Sequence, residues 1–170
     1  MIKDSLLKSC LLDLNICQHL FTKLDPALSE WRPRDNMRTT LELMQYLTFI
    51  GGTMTNHFVH TSEDREQARN RYREQSKASK EMKFDEFPAR IEREKEHLHS
   101  IYDSITDHDL TRPTYHPFSG DETTLFEALH TVSKYLCAYR HQLFLYAKMC
   151  GAEINTRNNW YGLDPVKATA

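Results

Sequence analysis

Residues 122–151 read ETTLFEALHTVSKYLCAYRHQLFLYAKMCG and form the most regular part of the sequence. Apolar side chains recur there at steps of three and four residues, which places them on one face of an α-helix. They are Leu125, Ala128, Leu129, Val132, Tyr135, Leu136, Tyr139, Leu143 and Tyr146. Gly151 follows them and suits the left-handed position that ends many helices. The stretch therefore predicts a long helix over residues 122–150 with one buried face.

Three further segments show the same spacing of apolar residues. We predict helices over residues 3–24, 36–61 and 85–108, and expect the four helices to form an all-α bundle. The small number of glycines and prolines, 5 and 6, argues against a fold with many strands. The connection between the second and third helices is long, so the topology need not be a simple up-and-down arrangement.

The ends and the interior of these helices can also be predicted. Asp35 or Asn36 is expected to cap the second helix, and Asp85 the third, because a side-chain oxygen can accept from the free N–H groups of a first turn. Gly51 and Gly52 fall inside the second helix, where glycine is unfavourable, and indicate close helix packing or a kink there. The residues expected in the core are Leu14, Leu47, Ile101 and Val132.

The remaining segments carry little apolar periodicity. Residues 62–83 contain seven basic and five acidic side chains and are predicted to form a charged connector or a solvated helix extension. Residues 111–120 contain two prolines and a glycine and are predicted to be a loop. Residues 152–170 are predicted to be an irregular tail.

Composition excludes several classes of protein. A chain of 170 residues with 39% hydrophobic and 27% charged side chains is expected to form a single domain, residues 1–170. Its net charge of −2 gives no basic field for nucleic acid, and no stretch approaches the roughly 18 apolar residues of a membrane span. We expect a cytoplasmic protein whose four cysteines are reduced, since the sequence has no C-x-x-C motif and no signal-peptide pattern.

The 132–151 segment resembles the last helix of the DinB/YfiT-like family, which typically reads H-x-x-x-H-R-G-Q-L, then an apolar turn and a glycine. The residues that match this pattern are Arg140, Gln142, Leu143, Tyr146 and Gly151. Residues 32–47 resemble the family's second helix and the loop before it, and 160–162 its closing segment. The resemblance implies a DinB-like four-helix bundle.

The family usually binds a divalent metal through three histidines, one on the second helix and two on the fourth. Those positions fall on Tyr46, Tyr135 and Tyr139 in this sequence. A phenol with a pKa near 10 is a poor ligand for zinc or nickel at neutral pH, whereas neutral imidazole is a good one. We therefore predict no metal and no other cofactor at these positions.

Several interpretations of the three tyrosines stay open. They can be hydrogen-bonded core residues, a pocket for a small organic ligand, or, least favoured, a ferric tyrosinate site. Supporting roles in such a pocket are assigned to Glu42, Arg140, Gln142 and Cys137. His57 and His60 stand three residues apart and are interpreted as surface histidines.

Two classes of function follow from the resemblance. The first is a non-catalytic or small-ligand-binding DinB-like protein that has lost the usual metal site. The alternative is a metal- or thiol-dependent transferase or hydrolase that acts on small electrophiles, with Cys137 as a candidate nucleophile. A role in the DNA-damage response is suggested by the family's name alone. The resemblance and the 11% aromatic content also predict a homodimer.

Overall fold

The computed structural model describes residues 1–60 and 64–164, and within these ranges most of the chain is helical. The α-helices are α1 (Ile2–Phe21), α2 (Thr40–Leu47), α3 (Ile50–Val59), α4 (Arg65–Ser79), α5 (Phe87–Asp103), α6 (Leu125–Met149) and α7 (Thr156–Tyr161). Short 3₁₀ turns cover Pro26–Leu28, Phe84–Glu86 and Asp107–Thr111, and two short strands, β1 (Pro113–Tyr115) and β2 (Glu122–Thr124), pair antiparallel.

The bundle consists of α1, α3, α5 and α6. Both α1 and α3 pack against α5 and against α6, so the apolar stripes of four helices meet in one core, and α2 extends the α3 layer along α6. Leu14, Leu47 and Val132 are fully buried, and Ile101 is 4% exposed. The predicted helical bundle and its four core residues are confirmed. No helix in the described part of the chain is long and apolar enough to cross a membrane.

The predicted second helix is wrong in its start and in its continuity. Neither Asp35 nor Asn36 caps it, because helix α2 begins only at Thr40. Thr39 is the cap: its hydroxyl accepts from the Glu42 N–H, and the Glu42 carboxylate accepts from the Thr39 N–H. The helix then breaks at Thr48 and Phe49 and resumes as α3. Its predicted last residue, 61, lies outside the described residues.

Gly51 and Gly52 allow the side chain of Glu94 to reach the start of α3. The Glu94 Oε1 atom accepts from the Gly52 N–H at 2.6 Å, and Glu94 is only 4% exposed. A Cβ atom on Gly52 would lie 2.5 Å from Nδ1 of His97 and 2.9 Å from Oε2 of Glu94, so these side chains would have to move to make room for it. Close packing therefore explains the glycine pair, whereas the break in the helix lies before it, at Thr48 and Phe49.

Burial raises the pKa of Glu94 to about 8, although the backbone N–H groups of Gly52 and Gly51 favour its charged form. The stabilisation that this group provides is complete below its unfolded-state pKa and is lost as the pH rises through 8. We expect Glu94→Gln, which keeps a carbonyl acceptor but no charge, to become more stable relative to the parent as the pH rises from about 5 to about 8.

Urea unfolding of both proteins across that pH range measures the difference. Glu92→Gln is the matched control, since Glu92 is on the same helix but exposed, and hydrogen bonds from Lys95 and Gln18 lower its pKa. If the difference in the free energy of unfolding between Glu94→Gln and the parent stays constant across the range, folding does not change the pKa of Glu94, which would contradict the prediction.

The other boundaries need smaller corrections. Asp85 does not cap α5, because residues 84–86 form a separate 3₁₀ turn, and Pro88 lies in the first turn of α5. The predicted loop over residues 111–120 contains β1, which pairs with residues from the predicted start of the last helix. Thr124 caps α6, and Gly151 is left-handed, with a φ of +92°.

The charged connector forms helix α4, most of which is exposed. Its predicted first residues, 62 and 63, lie outside the described residues. The predicted irregular tail instead contains the short helix α7, which Gly162 ends in a left-handed conformation. Residues 165–170 of that tail also lie outside the described residues.

The two cysteines on α1, Cys10 and Cys17, are buried in the core, and Cys137 and Cys150 are partly exposed.

Candidate functional site

The three tyrosines singled out in the sequence line one cavity between α2, α3 and α6. We call it the tyrosine cavity; its volume is about 230 Å³. It is lined by Tyr46, Ile50, Met54, Tyr72, His116, Phe118, Tyr135 and Tyr139. Tyr135 and Tyr139 share a face because they are one helical turn apart on α6, and Tyr46 reaches the cavity from α2.

Tyr46 and Tyr139 are in direct contact. Their ring centroids lie 4.7 Å apart in an edge-to-face arrangement. The Arg38 guanidinium lies over the Tyr46 ring at 4.1 Å and near the Tyr139 ring at 5.5 Å, which is cation–π geometry. Burial, and then the nearby Tyr139 and Tyr72 hydroxyls, raise the pKa of Tyr46, so this phenol keeps its proton at neutral pH.

Tyr135 is paired with a histidine from the loop after β1. The hydroxyl oxygen of Tyr135 lies 3.1 Å from Nε2 of His116, and Nδ1 of the same ring accepts from the Ser119 N–H at 3.3 Å. Burial lowers the pKa of His116, which keeps the ring neutral, and burial also raises the pKa of Tyr135. Both groups are therefore uncharged at neutral pH.

Helix α4 and the loop after β1 cover the cavity. The Tyr72 and Phe118 rings meet edge to face at 5.3 Å, and Tyr72 also contacts Phe49. The guanidinium groups of Arg65 and Arg69 donate to the Phe118 carbonyl at 2.8 and 3.2 Å. Tyr72 of the charged connector thus packs against aromatic rings of the bundle and of the loop, and Arg65 and Arg69 hold the loop in place.

Sequence reasoning missed His116, Phe118, Tyr72 and Arg38 as parts of this site. The sequence held one local indication of His116 and Phe118. The turn-rich segment TYHPFSG, residues 114–120, contains aromatic side chains, whereas such segments are usually polar. The remaining contacts join segments that are far apart in sequence, so no local pattern carries them.

Two of the supporting residues border the site without lining it. Glu42 completes the N-cap of α2 and lines a more polar groove of about 340 Å³, which shares Tyr46 with the tyrosine cavity. Gln142 donates to the Tyr146 hydroxyl at 2.8 Å, and that hydroxyl donates to the Arg38 carbonyl at 3.0 Å. Gln142 therefore acts on the site only by helping to position the Arg38 backbone.

The other two supporting residues lie elsewhere. Arg140 is 2% exposed and joins three helices: its Nε donates to Asp13 at 2.7 Å, and its Nη1 donates to the Asn159 side chain at 2.7 Å. Cys137 lies 3.2 Å from Nη2 of Arg140 and lines a separate cavity beside α1 and Trp160. Neither residue lines the tyrosine cavity.

One histidine interpretation is wrong. His57 is not on the surface: it is 5% exposed, and its Nε2 donates to the Tyr115 carbonyl at 3.0 Å, which connects α3 to β1. His60 is exposed, as expected. The two side chains therefore differ in environment.

The residues of the tyrosine cavity do not fit a three-histidine metal centre. Four of the five polar side chains that line it, Tyr46, Tyr72, Tyr135 and Tyr139, are phenols. The fifth, the imidazole of His116, is already hydrogen-bonded through both nitrogens. Among residues 1–60 and 64–164, no group of three or more His, Cys, Asp or Glu side chains is placed to hold a metal ion. Protonated phenols bind divalent zinc or nickel poorly.

Comparisons with known proteins agree with the helical bundle. The structure is similar to the crystal structure of a DinB-like protein, YjoA, from Bacillus subtilis, with a TM-score of 0.64 and 13% identity over 88% of this chain and 94% of that chain. No curated protein matches the sequence. The model of the DinB superfamily matches residues 15–134, a range that includes Tyr46 and ends just before Tyr135. The chain belongs to the DinB superfamily.

Proposed function

We propose that this protein binds a small organic molecule in the tyrosine cavity and that tyrosines have replaced the metal-binding histidines typical of its superfamily. The observation that carries the proposal is the convergence of Tyr46, Tyr135, Tyr139 and His116 on one cavity. These residues come from α2, α6 and the loop after β1, and they combine apolar ring surface with a few polar atoms. Such a combination is typical of sites for small ligands.

The volume of the cavity and the partial exposure of its tyrosines restrict the ligand. Its volume of about 230 Å³ lies below the range of roughly 300–1,000 Å³ for drug-sized ligands. Tyr46 and Tyr139 are only partly buried, which distinguishes them from sealed core residues such as Tyr102. A compact, mostly apolar ligand of about one ring therefore suits the site.

Binding without catalysis is favoured over the alternative of a thiol- or metal-dependent enzyme. The candidate thiol, Cys137, lines a different cavity from the tyrosines. Burial raises the pKa of the Cys10 thiol to about 12, so that core cysteine is no nucleophile either. Phenols and a neutral imidazole can orient a ligand but supply no metal-bound water.

The experiment is a titration of the protein with toluene, phenol and acetophenone, followed by amide chemical shifts in NMR. We expect at least one compound to bind saturably and to shift amides of residues that line the tyrosine cavity. Ile50→Phe adds a ring to a fully packed wall of this cavity, so it is expected to weaken binding at least tenfold.

The matched control is Leu145→Phe, which adds a ring at a position of α6 that is 43% exposed. Circular dichroism confirms that both variants stay helical. If none of the three compounds shifts amides around the cavity, or if both variants bind equally well, the tyrosines are a packed core cluster and the proposed function is wrong.

A further inference from the structure

The hydrogen bonds around His116 determine which way the Tyr135 hydroxyl points its proton. The Ser119 N–H can only donate, so Nδ1 of His116 must accept and cannot carry the hydrogen of a neutral ring. The hydrogen is then on Nε2, which donates to the Tyr135 oxygen at 3.1 Å. The O–H of Tyr135 is left to donate to another acceptor.

Tyr139 is the natural partner of Tyr135 in holding such an acceptor. The two residues are four apart on α6, a spacing that places side chains about 5–6 Å apart at Cβ on one helix face. Both line the tyrosine cavity, and each phenol has one O–H donor. A single oxygen atom between them can accept from both.

The surroundings favour an uncharged acceptor. Within the described part of the chain, the residues that line the tyrosine cavity include no carboxylate, lysine or arginine. The guanidinium of Arg38 lies over the ring faces of Tyr46 and Tyr139, where its charge favours a partial negative charge on a bound oxygen. Ile50, Met54 and Phe118 supply apolar surface for the rest of the molecule.

We infer that the ligand is a small, uncharged carbonyl compound, such as a ketone, aldehyde or amide, whose oxygen accepts hydrogen bonds from Tyr135 and Tyr139. This inference rests on the proposed function, because it names the ligand class for the same cavity. A carbonyl oxygen has two lone pairs and no proton, so it complements two phenolic donors. A hydrocarbon of the same shape would leave both donors without an acceptor, which is unfavourable.

The test compares acetophenone with α-methylstyrene, in which a CH₂ group replaces the carbonyl oxygen at almost unchanged shape. We expect acetophenone to bind the parent protein roughly tenfold more tightly than α-methylstyrene. Tyr135→Phe and Tyr139→Phe should each weaken acetophenone binding about threefold to tenfold and leave α-methylstyrene binding unchanged. The ¹³C resonance of labelled acetophenone carbonyl should move downfield on binding to the parent, and less on binding to either variant.

Tyr115→Phe is the matched control, because it removes a phenolic oxygen from an exposed residue that does not line the cavity. Equal affinity of the two compounds for the parent would overturn the carbonyl inference while leaving the proposed ligand cavity intact. Loss of both compounds' binding in Tyr135→Phe would show a packing role and would also overturn it. If neither compound binds the parent, the carbonyl inference fails, and the proposed function fails with it only if toluene and phenol do not bind either.

Discussion

A variant that carries Tyr46→His, Tyr135→His and Tyr139→His is expected to bind about one zinc ion per chain, whereas the parent binds none. The three side chains line one cavity, and the Tyr46 and Tyr139 rings already lie 4.7 Å apart. Three imidazoles there would provide three nitrogen ligands and leave one position open, as in catalytic zinc sites. Imidazole is also smaller than phenol, so the change leaves room for the ion.

Calorimetric titration with zinc measures the stoichiometry, and circular dichroism shows whether the variant remains helical. The matched control replaces the same three tyrosines by phenylalanine, which changes the same three positions but adds no metal ligand. A helical histidine variant that binds no zinc would contradict the alignment of these positions with the superfamily's histidines. Stoichiometric zinc binding by the parent would contradict the proposed loss of the metal site.

Asp13→Ala is expected to lower the free energy of unfolding by about 3–5 kcal/mol. Asp13 is the carboxylate partner of the buried Arg140 guanidinium, at 2.7 Å, and both side chains are at most 10% exposed. Removing the carboxylate leaves a buried cation whose other hydrogen-bond partners among the described residues, Asn159 and Cys137, are uncharged. This cation also holds helix α7 through Asn159. Breaking a buried pair on one side costs more than removing both partners.

Urea unfolding of Asp13→Ala gives the loss, and the double variant Asp13→Leu with Arg140→Met is expected to recover much of it. The control is Lys23→Met, which breaks an ion pair with Asp164, a residue whose side chain is 61% exposed. We expect that control to change the free energy by about 1 kcal/mol or less. An Asp13→Ala loss no larger than this would mean that the buried ion pair contributes little.

The helical bundle could be predicted because it follows from a local pattern. Apolar residues three and four apart place Leu14, Leu47, Ile101 and Val132 on helix faces that must be buried, and all four are in the core. Helix ends were predicted less well. Thr39 rather than Asp35 caps α2, since several polar residues near a helix start can cap it and tertiary packing selects among them.

The site was only partly predictable, for a related reason. The alignment with the superfamily brought Tyr46, Tyr135 and Tyr139 together, and the structure places all three around one cavity. Arg140, which matches the family's helix pattern, was assigned a supporting role in the same site, but it follows Tyr139 directly, and adjacent residues on a helix point about 100° apart. Arg140 therefore faces α1 and α7 instead.

The sequence by itself determined which faces of the helices are buried, because side-chain periodicity and the transfer of apolar surface from water act locally along the chain. Only the tertiary structure decided that His116 meets Tyr135, that Arg38 covers Tyr46, and that Glu94 reaches the start of α3. These contacts join residues 8 to 42 positions apart. They depend on the packing of helices and loops that no local pattern encodes.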